Sequence, residues 1–218
     1  MSTRGCLILA LLVLASELSA QTAAVEVQVY DQAGLQPSTF QNFVTQTQNI
    51  LSETGLSIQV KTCGRSVSVV CETQSYGTRY LVIHIVAGHP KKMKNVRRPP
   101  LGQSFADENG GKYASLFLEH VQDEATSNNV PWVRVLSYAA VHEIGHLLLG
   151  NGAHTSRGVM KATWDRTDFE AMNQNYLNFS KEQMLQLQGR YRSTGTAVIT
   201  PEALKLVEVK HAGSIAAE

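Results

Sequence analysis

The segment from Pro131 to Gly150 constrains the fold more than any other part of the chain, because it joins a long helical pattern to the run His142-Glu143-Ile144-Gly145-His146. Leu136, Ala140, Ile144 and Leu148 recur at every fourth position, Pro131 can open a helix at its first turn, and Gly150 stands where one would stop. Residues four apart on a helix have Cβ atoms about 5–6 Å from each other, so the imidazoles of His142 and His146 can share one metal ion. Neutral imidazole suits zinc. Glu143 is one step round the helix from His142, so it need not ligate. It can instead accept a proton from the water at an open coordination position, which is hydrolytic zinc chemistry. With 7 histidines in 218 residues, a shuffled chain of this composition would contain the motif ~0.01 times.

A catalytic zinc usually takes three protein ligands and leaves a fourth position open, so a third ligand is expected downstream. His154 is the leading candidate, because Gly150-Asn151-Gly152 can turn the chain back towards the helix. Glu170 and Glu182 are alternatives that would need a second helix to approach, and Asp165 and Asp168 are weaker ones. His84, His89 and His120 each stand alone in a strand or loop, without a partner at ligand spacing.

The start of the chain reads as an export signal over residues 1–20. Arg4 supplies a positive charge, Cys6 to Ala15 an apolar run, and Leu18-Ser19-Ala20 a small-residue exit. The expected location is therefore secreted or periplasmic. The apolar run is well under the ~20 residues that a spanning helix needs, so no stable membrane insertion is expected. Removing Arg4 and Glu17 together leaves the formal net charge at +1, which gives no reason to expect a nucleic-acid partner. Cys63 and Cys71 then remain as an even pair in an oxidising compartment, which favours a disulfide over free thiols, and their spacing does not match a C-x2-C zinc knuckle.

At 43% hydrophobic and 17% charged residues the chain has material for one sizeable core, expected over residues 21–192, with a patternless tail at 193–218. Val25 to Tyr30 alternates apolar and polar residues, the period of a half-buried strand. Pro37 to Glu53 has helical spacing up to Gly55, Leu56 to Thr62 reads as a second strand, and Tyr80 to Val86 is a nearly continuous apolar run typical of a strand covered on both faces. Gly88 to Gly102 is basic and proline-rich, a solvated loop by composition. Asn109-Gly110-Gly111 joins Gln103–Ala106 to Tyr113–Val121 as a hairpin whose second arm is the expected edge strand. A last helix is expected from an N-cap at Ser180.

From Val141 to Trp164 the chain resembles the metzincin metallopeptidases, which join H-E-x-x-H-x-x-G-x-x-H to a later methionine turn. His142, Glu143 and His146 match position for position, whereas Gly150 and His154 come one and two residues later than the pattern asks. Met160 resembles the turn methionine, whose thioether packs under the metal without ligating it; ordinary core filling is the blander role for it. The resemblance implies an α+β zincin fold with one zinc ion: a mixed twisted sheet packed on an N-terminal helix and an active-site helix, then the methionine turn and a C-terminal helix. In that family an edge strand binds substrate as an added antiparallel strand, and Tyr113, Ala114, Ser115, Leu116 and Phe117 are the candidates for it here. Some members place a tyrosine after the methionine to stabilise the oxyanion; this chain has Trp164 there. No cysteine is available to cap the metal from a pro-segment.

The expected function is that of a monomeric zinc endopeptidase acting on peptide or protein substrates, with Glu143 as general base. A zinc-stabilised recognition protein without turnover, and a zinc hydrolase of a non-peptide amide, are the alternatives.

Overall fold

Val25, Val27 and Val29 point to one side of the first strand and Glu26, Gln28 and Tyr30 to the other, and in a computed structural model describing residues 25–64, 71, 79–88 and 99–191 both sides are buried. The expected leader at 1–20, the tail at 193–218, His89 and the basic run from Lys91 to Arg98 lie outside the described residues. The polar face of this strand, β1 (Val25–Asp31), is not half-exposed as its alternation suggests, and the reason is local. Cys63 and Cys71 are joined by a disulfide, and together with Tyr30, Val82 and Tyr80 they form a small second cluster over that face. Beneath it Glu26 pairs with Lys61 and accepts from Gln28, so the buried carboxylate is both hydrogen-bonded and charge-compensated.

Helix α1 (Pro37–Ser52) follows with Pro37 at its first turn, where a missing N–H costs nothing. It returns the chain to β2 (Ile58–Thr62), which lies parallel to β1. The Gln48 side chain ties the two together, donating to Ile58 O at 2.7 Å and accepting from Val60 N at 2.8 Å. Strand β3 (Arg79–Val86) pairs parallel with β1 on its other side, as its continuous apolar run suggests. Next come β4 (Gly102–Asp107) and β5 (Gly110–Phe117), giving a five-stranded mixed sheet in the order β2-β1-β3-β5-β4, with β4 antiparallel and the rest parallel.

This order corrects the expected edge. Tyr113 to Phe117 belong to β5, which is paired on both sides, with β3 and with β4, so on this side of the sheet the edge strand among the described residues is β4. A two-stranded period specifies a hairpin but not which arm finds a further neighbour. Nor does the second arm run on to Val121: the chain enters helix α2 (Leu118–Asn128) directly after Phe117 and leaves it through Asn129 in the left-handed region.

Helix α3 (Trp132–Leu149) then crosses the sheet beside α1, buried on nearly all sides. Its last carbonyls are answered by side chains from distant elements. Arg79 donates to Leu147 O, while Arg190 and Tyr191 both donate to Leu148 O. Gly150 follows at φ 103°, and a Cβ there would come within 2.5 Å of Glu108 O in the β4–β5 turn, so only glycine lets the helix end this close to the hairpin. Helix α4 (Arg166–Asn173) is fixed by a capping box between Asp165 and Asp168. Helix α5 (Lys181–Tyr191) begins after Ser180, whose Oγ accepts from Gln183 N at 3.2 Å, as an N-cap should. No helix among the described residues is long and apolar enough to cross a membrane.

Candidate metal centre

The one-turn spacing of His142 and His146 puts both rings on the same side of α3, and the loop after Gly150 brings His154 to meet them. Nε2 of His146 lies 3.2 Å from Nε2 of His142 and 3.0 Å from Nε2 of His154. Nitrogens held 2.0–2.1 Å from a tetrahedral zinc sit roughly 3.3 Å from one another. The three histidines are therefore already at ligand spacing.

The protonation pattern points the same way. Nδ1 of His142 lies 2.8 Å from Val159 O and Nδ1 of His146 lies 3.2 Å from Gly150 O. A carbonyl oxygen only accepts, so in each neutral ring the proton sits on Nδ1 and the Nε2 lone pair faces inward. Lone pairs converging at 3.2 Å repel unless a cation lies between them. Burial pushes His142 down to about 4 and lowers His146 as well, so both rings are held in the uncharged state that a metal requires. The donor set fits a zinc ion held by His142, His146 and His154.

Glu143 points from the same helix into the same cavity, which has a volume of about 360 Å³. Burial raises its carboxyl to about 7, against the opposing effect of hydrogen bonds from the Ser104 side chain and backbone. Gly102 is the other contact. A Cβ there would stand 2.8 Å from Glu143 Oε1, so the edge strand β4 approaches the carboxylate as closely as its backbone allows. Gly102 and Ser104 are positions of the candidate site that the sequence reading missed, although a glycine opening a strand is a signal of close backbone approach.

Beneath the metal ligands, Met160 is fully buried, and its Sδ would lie 2.3 Å from a Cβ placed on Gly145. The thioether thus fills the space that the missing side chain leaves between the two helical histidines. Trp164 lines the same cavity, but its indole N–H is committed to the protein backbone. Its Nε1 donates to Val159 O at 3.2 Å, the carbonyl that also receives His142, and its ring meets the His142 ring edge-on at 5.7 Å. The tryptophan holds a ligand in place.

The rival ligands are engaged elsewhere. Asp165 and Asp168 form the α4 cap and both pair with Lys161. Glu170 pairs with Arg166 on the surface, and Glu182 is exposed on α5. His84 stacks on Tyr30, and Nδ1 of His120 meets Pro100 O, so neither reaches the cluster.

No protein-family model matches this chain, and no curated protein sequence matches it. Among solved structures it is similar to the crystal structure of archaemetzincin from Methanopyrus kandleri, at 15% identity and a TM-score of 0.51, covering 77% of this chain and 96% of that one. The solution structure of TM1509 from Thermotoga maritima also matches, at 12% identity and a TM-score of 0.30, covering 81% and 97%. At 15% identity the first likeness establishes the fold alone: this chain has an archaemetzincin-like mixed α/β fold, and it carries a cluster of three histidines able to hold a metal.

Proposed function

We propose that this protein is a zinc-dependent endopeptidase, held exported and monomeric, whose partners are peptide or protein substrates and not nucleic acid. The observation that carries this is the convergence of three imidazoles and one buried carboxylate on a single cavity. When bound by His142, His146 and His154, zinc supplies Lewis acidity, polarising a carbonyl and making water nucleophilic at neutral pH.

The protein's own groups do the rest. Glu143, near neutrality in its affinity for a proton, takes one from the attacking water and returns it to the leaving amine. Ser104 and Gly102 orient that carboxylate from the edge strand. The free edge of β4 offers an extended substrate a row of backbone hydrogen-bonding groups beside the site, so the substrate-binding role expected of Tyr113 to Phe117 passes to Gly102–Asp107. Met160 is assigned the role of the methionine turn, on the strength of its contact with Gly145.

The test is digestion of a mixed-sequence peptide library by the wild type and by Glu143→Ala, read by mass spectrometry with zinc content measured in parallel. Cleavage should fall by roughly 10²–10⁴-fold or more in the variant while zinc stays bound. Cleavage by neither zinc-loaded protein would favour a recognition protein or a hydrolase of a narrow non-peptide amide.

A further inference from the structure

His154 differs from its two partners in how it is held. Nδ1 of His142 and of His146 each meet a backbone carbonyl. Among the described residues Nδ1 of His154 meets none, and the residue is exposed, on a loop that contains Asn151 and Gly152, both exposed as well. Metal-binding histidines almost always have such an outer partner, so something else must aim this one.

The loop is tied at a point that can do so. Gln183, buried on α5 with 6% of its surface exposed, donates from Nε2 to Ala153 O at 2.8 Å. That carbonyl belongs to the Ala153–His154 peptide, whose plane also contains the His154 Cα, so fixing the oxygen fixes the point from which the ligand side chain projects. On the far side Thr155 N donates to Met160 O at 3.0 Å. Gln183 is itself immobilised: its Oε1 accepts from Ser180 N at 3.1 Å and its own N–H donates to Ser180 Oγ, a capping box at the start of α5.

We infer that Gln183 is a positioning residue for the third metal ligand, its side-chain amide aiming His154 through the Ala153 carbonyl while its oxygen closes the helix cap. The inference rests on the metal-site reading above. The two jobs of the side chain separate by substitution. Gln183→Glu keeps an oxygen for Ser180 N, and glutamate is a normal member of a capping box, but it loses the donor to Ala153 O. Gln183→Met removes that donor without adding a charge. Ser180→Ala removes the hydroxyl cap and leaves the donor in place.

The experiment measures zinc retention against a chelator of graded concentration, the visible spectrum of the cobalt-substituted protein, and the melting temperature of the metal-free protein. Gln183→Glu and Gln183→Met should each hold zinc about tenfold or more weakly and shift the cobalt spectrum. Both Gln183 variants should also melt a few degrees lower, because each leaves the Ala153 carbonyl without its donor. Ser180→Ala should melt a few degrees lower with unchanged zinc retention and spectrum. Wild-type zinc retention in both Gln183 variants, or an equal loss in Ser180→Ala, would overturn the inference. A wild type that holds no zinc would overturn the metal site itself, which is a different result.

Discussion

The two halves of the candidate metal centre are built by opposite means. His142 and His146 stand on a helix that is buried almost all round, at a spacing set by helical geometry, and each is fixed a second time through Nδ1. His154 stands on an exposed loop and is aimed through the backbone on either side of it. The helical half is rigid because its residues are core. The loop half is placed by hydrogen bonds reaching in from α5 and from the Met160 turn, so its precision depends on elements formed far along the chain.

If this contrast is right, removing a ligand from each half should have unequal effects. His146→Ala should abolish stoichiometric zinc binding, whereas His154→Ala should leave a weak site on the helix, both measured by metal analysis after dialysis against graded chelator. Equal and complete loss in both would erase the distinction. A smaller effect is expected where the halves touch. Gly145→Ala gains ~1 kcal/mol of helix propensity, but it drives a methyl into the buried Met160 thioether, and overpacking of this kind costs about 1–3 kcal/mol. The net expectation is a loss of up to roughly 2 kcal/mol in chemical unfolding, with weakened zinc retention because Met160 O also anchors Thr155. The smallest effect should come from Asp165→Ala, which removes the α4 cap and one partner of Lys161 without touching either half. A melting temperature a few degrees lower with unchanged zinc retention is expected, and a change in retention would mean that α4 also supports the site.

Much of the helical half was legible in the sequence, because a period of 3.6 and a pair of histidines four apart are local facts. The same holds for β3, whose nearly continuous apolar run marks an inner strand of the sheet, and for the Ser180 cap. His154 was legible as a candidate from the glycines before it, but not the means that hold it, since Gln183 acts across the fold. Pairing partners were not legible either. The hairpin is clear in the sequence, but nothing in the residues of β5 records that β3 lies beside it, so which arm is the edge is not. Helix α2 was hidden by Leu116-Phe117-Leu118, which continue a strand pattern, and only Val121 and Ala125 mark its buried side. Helix α4 carries a local signal in the sequence, the Asp165 and Asp168 pair of its capping box. Burial of the polar face of β1 depends on a disulfide segment more than thirty residues away.

The way α3 ends bears on how such centres are found. Gly150 docks on the β4–β5 turn one residue later than the family pattern asks, and the loop beyond it is tied at both ends while its middle is exposed. In a loop of that kind an added residue changes little but closure entropy, and even a doubling of length costs only about 0.6 kcal/mol. The gap between second and third ligand is thus an elastic quantity, tolerant of insertion, whereas the gap between the first two is set by the helix and cannot stretch. A search keyed to fixed spacing throughout will pass over chains like this one. A search that fixes the first gap and lets the second float, asking only for a turn-forming glycine before the last histidine, would recover them.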